Sequence, residues 1–73
     1  MIGSGRRVTV FASTRPTDMR KSFDTLSYLV TAELGQDPMS GDVFLFVNSR
    51  RTRAKALLWD GTGLFIYSKC LEL

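Results

Sequence analysis

Apolar and polar positions alternate in the segment Arg7-Val8-Thr9-Val10-Phe11-Ala12, which sets Val8 and Val10 to one side and Thr9 and Phe11 to the other. β-Branched and aromatic residues suit a half-buried extended chain, so a strand is predicted over residues 7–12. Ser13-Thr14-Arg15-Pro16 ends it, because the residue before a proline is pushed out of helical space. The period then changes. Met19, Phe23, Leu26, Leu29, Val30 and Leu34 recur at spacings of three and four and form one apolar stripe. Asp24, Thr25, Ser27, Thr31 and Glu33 fall mostly on the other side. This spacing predicts a helix over about 19–34, capped by Thr17 or Asp18 and closed by Gly35 in the left-handed conformation. Ser22 is a second possible start, after an irregular turn at Met19-Arg20-Lys21. Arg20 and Asp24, four apart, would pair on such a helix.

Gln36-Asp37-Pro38-Met39-Ser40-Gly41-Asp42 is turn chemistry. Val43-Phe44-Leu45-Phe46-Val47 is apolar on both faces, as a central strand covered on each side would be. After a polar connection at 48–52, residues 53–59 read as a strand with Lys55 outward. Either Ala56 and Leu58 or Leu57 and Trp59 then face inward. Asp60-Gly61-Thr62-Gly63 signals a hairpin loop, and residues 64–68 return as the last strand. The expected architecture is α+β: an N-terminal strand and one amphipathic helix packed on an antiparallel meander of about 43–47, 53–59 and 64–68. One helix cannot cover Phe44, Phe46, Leu57, Trp59, Phe65 and Tyr67 together. Phe44, Phe46, Trp59, Phe65 and Tyr67 are therefore the expected interface, covered by further chain, a second copy or another protein.

Composition narrows the chemistry. A chain of 73 residues has room for one small domain, here residues 1–73, with little margin of stability. Its abrupt apolar end, Lys69-Cys70-Leu71-Glu72-Leu73, has no closing turn and suggests a domain that lacks a C-terminal portion. The single cysteine cannot form an internal disulfide, and the absence of histidine excludes histidine triads and imidazole metal sites. No apolar run approaches the roughly 20 residues of a membrane span, and no signal-peptide core follows the first arginines. A cytoplasmic protein with a reduced Cys70 is expected.

The net charge of +3 is mild, but its placement is uneven. Arg50, Arg51, Arg53 and Lys55 lie within six residues, and Arg15, Arg20 and Lys21 flank Pro16-Thr17-Asp18-Met19. Cations so grouped can contact phosphates, which makes Arg50, Arg51, Arg53 and Lys55, with Arg20 and Lys21 at a helix start, the candidate nucleic-acid-binding residues. The competing reading is a solvated loop that keeps a sheet edge soluble. Catalytic signals are lacking. The acids stand singly, Cys70 has no histidine to activate it, and Gly3-Ser4-Gly5-Arg6 is not a phosphate loop. No enzymatic activity, metal or cofactor is expected.

Three blocks carry a resemblance. Thr17-Asp18-Met19-Arg20-Lys21-Ser22-Phe23-Asp24-Thr25-Leu26 resembles the signature T-D-M-R-K-G-F-D-G-L. Asp37-Pro38-Met39-Ser40-Gly41-Asp42-Val43-Phe44-Leu45-Phe46 is similar to D-P-x-S-G-x-x-F-x-F, and Lys55 to Leu64 to K-x-L-x-W-D-G-x-G. Lys69 to Glu72 resembles K-R-L-E. Together these resemble the second-open-reading-frame protein of IS66-type insertion sequences, often called TnpB of that family and distinct from the RNA-guided nuclease of that label. Ser22 and Thr25 depart from the pattern where glycines are common, and Cys70 where a basic residue is common. Family members also continue for some tens of residues beyond this point. The resemblance implies a non-catalytic accessory protein of DNA transposition that works alongside the element's separate transposase; the clustered cations add DNA, and the uncovered apolar face adds a second copy of the chain, as expected partners. It also leaves open a module that oligomerises or docks the transposase without touching nucleic acid.

Overall fold

The computed structural model describes residues 7–71. Strand β1 (Val10–Ala12) leads through a long connection to helix α1 (Phe23–Leu34), and β2 (Val43–Val47), β3 (Arg53–Trp59) and β4 (Leu64–Cys70) follow. They form one mixed sheet in the order β1-β2-β3-β4. β1 and β2 are parallel, with Val10 opposite Val43, while the later pairs are antiparallel. Parallel neighbours need a crossover, and α1 supplies it. The fold is α+β, and the strand predictions at 43–47 and 53–59 match the ladder.

Three boundaries differ, each for a local reason. β1 holds only three ladder residues, because β2 begins at Val43 and offers nothing for residues 7–9 to pair with. Thr9 N–H goes instead to Asp42 Oδ1 at 3.1 Å, and Thr9 C=O accepts from Val43 N–H at 2.9 Å. The helix begins at Phe23, not Met19: Ser22 is its N-cap, extended at φ −113° and ψ −166°, and its C=O accepts from Leu26 N–H. Asp18 organises the turn before the helix, accepting Arg20 N–H on Oδ1 at 2.9 Å and Lys21 N–H on its carbonyl at 3.1 Å. Arg20 accordingly pairs with Asp18, not Asp24. At the other end of the helix, Gly35 takes φ +64°. There it and Gln36 both donate N–H to the Val30 carbonyl, as the sequence led one to expect of that glycine. β4 runs two residues beyond the predicted 64–68, paired as far as Cys70 opposite Arg53.

The core lies between α1 and one sheet face. Leu26, Val30, Phe44, Phe46 and Leu57 are fully buried there, with Phe11, Met19, Leu29, Leu34, Leu64 and Ile66 packed around them. The Phe11 and Phe44 rings stack at 5.5 Å. This arrangement corrects two expectations. Phe44 and Phe46 are core residues beneath the helix, not interface residues, because period-two alternation sends them to the same side as Leu57. Lys55 shares that side with Leu57 and half-buried Trp59, so the inward pair is Leu57 and Trp59 and Lys55 is not outward. The other sheet face carries Val10, Val43, Leu45, Leu58, Phe65 and Tyr67, and no helix lies against it among the described residues. Phe65 and Tyr67 thus remain exposed, at 43% and 62%.

Candidate nucleic-acid interface

Two connections and a strand end meet at one end of the sheet. β1 and β2 both finish there, α1 starts there, and the β2–β3 hairpin turns there. β4 also ends there.

The hairpin is built by Asn48. Its Oδ1 accepts from Thr52 N–H and Arg53 N–H at 2.9 and 3.0 Å, and its Nδ2 donates to Thr52 Oγ1 at 2.9 Å. Arg51 N–H donates to Asn48 C=O, and Arg51 closes the turn at φ +57°, a left-handed conformation uncommon outside glycine. With the backbone satisfied internally, the side chains of Arg50, Arg51 and Arg53 are exposed. On the facing connection, Ser13 N–H and Thr17 N–H donate to the Leu45 and Val47 carbonyls at 2.9 Å. These bonds hold residues 13–17 beside β2 and fix Arg15 at the rim.

Eight of the ten basic residues therefore gather at this pole. Arg15, Arg20 and Lys21 come from the β1–α1 connection, Arg50, Arg51, Arg53 and Lys55 from the hairpin and β3, and Lys69 from β4. Only Asp18 and Asp24 oppose them among the described residues. Glu33, Asp37, Asp42 and Asp60 lie at the opposite end, with Arg7 near them. The molecule is thus strongly polarised along the strands, which its small net charge conceals.

The cations are not equivalent. Arg20 is clamped by Asp18, with Nη2 2.8 Å from Oδ2 and Nε donating to both carboxylate oxygens. That guanidinium and the Arg20 N–H hold the Asp18 carboxyl down from its usual 3.8 to about 2, and the carboxylate raises the Arg20 pKa in return. Lys55 is partly buried, and its Nζ donates to the Lys21 carbonyl at 2.9 Å, tying β3 to the start of the helix. Arg15, Lys21, Arg50, Arg51, Arg53 and Lys69 are left with no side-chain acceptor among the described residues.

Three adjoining clefts cross the pole. The first, about 410 Å³, lies between Ser13, Thr14, Arg15 and Pro16 on one bank and Asn48, Ser49 and Arg51 on the other. The second, about 360 Å³, shares Pro16, Asn48 and Ser49 with it and adds Asp18, Met19 and Arg53. The third, about 110 Å³, shares Met19 and Arg53 with the second and reaches Lys55, Ser68 and Lys69. The shared walls make one shallow trough from Arg15 and Arg51 to Arg53 and Lys55; Lys69 borders its end, with its side chain on the open sheet face beside Tyr67.

The structure thus brings all six sequence-derived cations, Arg20, Lys21, Arg50, Arg51, Arg53 and Lys55, to one pole and adds two. Arg15 was visible in sequence only as part of a local charge cluster. Lys69 carried no signal until the β3–β4 register placed it opposite Ala54. The other quoted motif residues serve turns. Asp60 Oδ1 accepts Thr62 N–H, Thr62 Oγ1–H and Gly63 N–H at 2.8–3.0 Å, which lowers the Asp60 pKa, and Gly61 adopts φ +100°. Asp37 accepts Met39 N–H at 2.9 Å, and Asp42 bonds Ser40 Oγ at 3.2 Å beside Gly41 at φ +91°.

Fold and pole together define a small α+β module with one cationic and one carboxylate-bearing end. The chain belongs to the IS66 Orf2-like family of insertion-sequence proteins, whose family profile matches residues 8–73. It is 38% identical over 72 residues to the uncharacterized protein y4jC of Sinorhizobium fredii (strain NBRC 101917 / NGR234). The uncharacterized protein y4hO of the same strain is 33% identical over 72 residues. Each alignment covers 99% of this chain but only 62% and 63% of those relatives, so the chain spans less than two thirds of their length. No solved structure matches it. No helix among the described residues is long and apolar enough to cross a membrane.

Proposed function

We propose that this chain is a transposition accessory protein that contacts the phosphates of DNA through its cationic pole and thereby assists assembly of the transposase–DNA complex. Its family membership supports the accessory role, and the polarised charge supports the contact. The single observation that carries the contact is the trough itself. Side chains from three separated segments converge on one shallow surface, which a solubilising loop does not require. Phosphate contacts of this kind are insensitive to base sequence and sensitive to salt, so the chain would add affinity and leave site choice to its partner.

The test is binding of the chain to duplex DNA carrying the element's ends, read by fluorescence anisotropy at low salt. Weakened binding by an Arg51→Ala/Arg53→Ala variant that keeps its circular dichroism spectrum is the expected result. Undiminished binding by that variant refutes the reading. A second reading, a module that docks the transposase without DNA, draws on the open apolar sheet face bearing Val43, Leu45, Phe65 and Tyr67. It predicts co-purification with the transposase after nuclease treatment, unchanged by the arginine substitutions.

A further inference from the structure

Among the described residues strand β4 has one neighbour, and the ladder fixes which of its backbone groups are free. Leu71 N–H donates to the Thr52 carbonyl at 2.7 Å, and Asp60 N–H to the Gly63 carbonyl at 3.2 Å. Both bonds fit the β3–β4 register. Hydrogen-bonded and non-bonded pairs alternate along an antiparallel ladder, so Phe65, Tyr67 and Lys69 turn their backbone groups toward β3. Leu64, Ile66, Ser68 and Cys70 turn theirs outward, where none has a hydrogen-bond partner among the described residues. The edge is seven residues long and has no proline. Natural edges are usually shortened, bulged or covered, because such a row of donors and acceptors is a template for another strand. The opposite edge, β1, has three residues and cannot serve equally.

We infer that β4 is a self-association edge on which two copies of this chain pair antiparallel about a two-fold axis at Tyr67, making one continuous eight-stranded sheet. The register follows from the free groups. With Tyr67 opposite Tyr67 of the second copy, Leu64 pairs with Cys70 and Ile66 with Ser68, and every outward residue on both strands is used. Sliding the register by two residues in either direction strands one end of each edge. The side chains agree with it. Phe65 and Tyr67, stacked within one chain at 6.3 Å, both stand on the open face. In the pair, Tyr67 meets its mate across the closely spaced non-bonded position, and Lys69 lies opposite the Phe65 ring, not opposite another lysine. Charge favours the same direction. Antiparallel pairing sets the cationic pole of one copy beside the carboxylate-bearing end of the other, near Asp60, whereas a parallel arrangement would juxtapose the two cationic poles.

The experiment uses the full chain without DNA, so its outcome is independent of the phosphate-binding reading. In a Cys70→Ser background, Tyr67→Cys places two thiols at a non-bonded antiparallel pair, with Cα atoms about 4.5 Å apart and within disulfide range. Mild oxidation is expected to convert this variant almost wholly to a covalent dimer with a native far-ultraviolet spectrum. Ser68→Pro removes only an outward N–H and leaves the β3 ladder intact, so it is expected to weaken dimerisation by roughly 30-fold in sedimentation, two bonds being lost by symmetry. Three results would overturn the assignment: a monomer at high micromolar concentration, a Tyr67→Cys variant that fails to cross-link while native Cys70 does, or a dimer that survives Ser68→Pro and is broken by Leu45→Glu on the open face.

Discussion

Changing Arg51 and Arg53 together to alanine removes two charges from the banks of the trough and leaves the hairpin as it was. Asn48 holds the turn through Arg51 N–H, Arg53 N–H, the Arg53 carbonyl and Thr52, so neither arginine side chain takes part. Alanine is no worse than arginine at the left-handed φ of +57° that Arg51 adopts. Each phosphate neutralised on B-form DNA contributes about −0.9 to the slope of log binding constant against log salt. Losing two contacts flattens that slope by roughly 1.8. Between 50 and 200 mM salt, a fourfold change, the unmodified chain should lose about 12-fold more affinity than the double variant. Anisotropy titrations of one labelled duplex at three salt concentrations measure both slopes, and circular dichroism checks that the variant is folded. Equal slopes would refute the placement of Arg51 and Arg53 on the phosphates. A wild-type slope near zero would refute phosphate binding by the pole as a whole.

Three further outcomes follow from the structure. Asp18→Asn removes the carboxylate that holds Arg20 and frees that guanidinium for phosphate, so the salt slope should steepen by about 0.9; an unchanged or flatter slope in the same titration would count against it. Phe44→Ala empties the centre of the core at a fully buried ring stacked on Phe11 and should cost about 3–5 kcal/mol, enough to unfold much of so small a domain in a urea titration. Asp18 and Asp60 have folded-state pKa values below 3.8, so their stabilising contribution is complete above about pH 4 and is lost as pH falls, for Asp18 through about 2. Thermal melts of Asp60→Asn should therefore fall less steeply between pH 4 and 2 than those of the unmodified chain, since the amide keeps an acceptor oxygen but does not titrate.

The elements were legible wherever one residue type decided the matter. Gly35 ends the helix as expected, and the apolar run 43–47 is a strand with two apolar faces. What local pattern could not settle was which of two faces a residue takes when both are apolar. The count of aromatics, without a register, says only that some must be uncovered and does not single out Phe44 and Phe46 as the buried ones. A lysine in a strand usually points outward, yet the alternation shared with Leu57 and Trp59 carries Lys55 to the helix side, where its amine finds the Lys21 carbonyl. The early helix start failed for a different reason. Asp18 binds the backbone two residues on, and this local bond outcompetes a first helical turn. The hairpin and helix-start cations were readable as clusters. Their union into one pole, with Arg15, depends on β1 lying parallel to β2, a pairing that no local signal announces, while Lys69 joins them through the β3–β4 register.

That parallel pairing also orders the assembly of the molecule. β2, β3 and β4 join through short turns within residues 43–70, whereas Val10 must find Val43, 33 positions away, for β1 to form at all. Contacts between near neighbours in the chain close quickly and distant ones late, so the topology predicts that the meander forms first and that residues 7–34 dock onto it afterwards. One bank of the trough, from Ser13 to Met19, belongs to the late piece, and the other, from Asn48 to Arg53, to the early one. A polyanion held between the two banks would bind the docked state alone, and so would act as the clasp that completes folding.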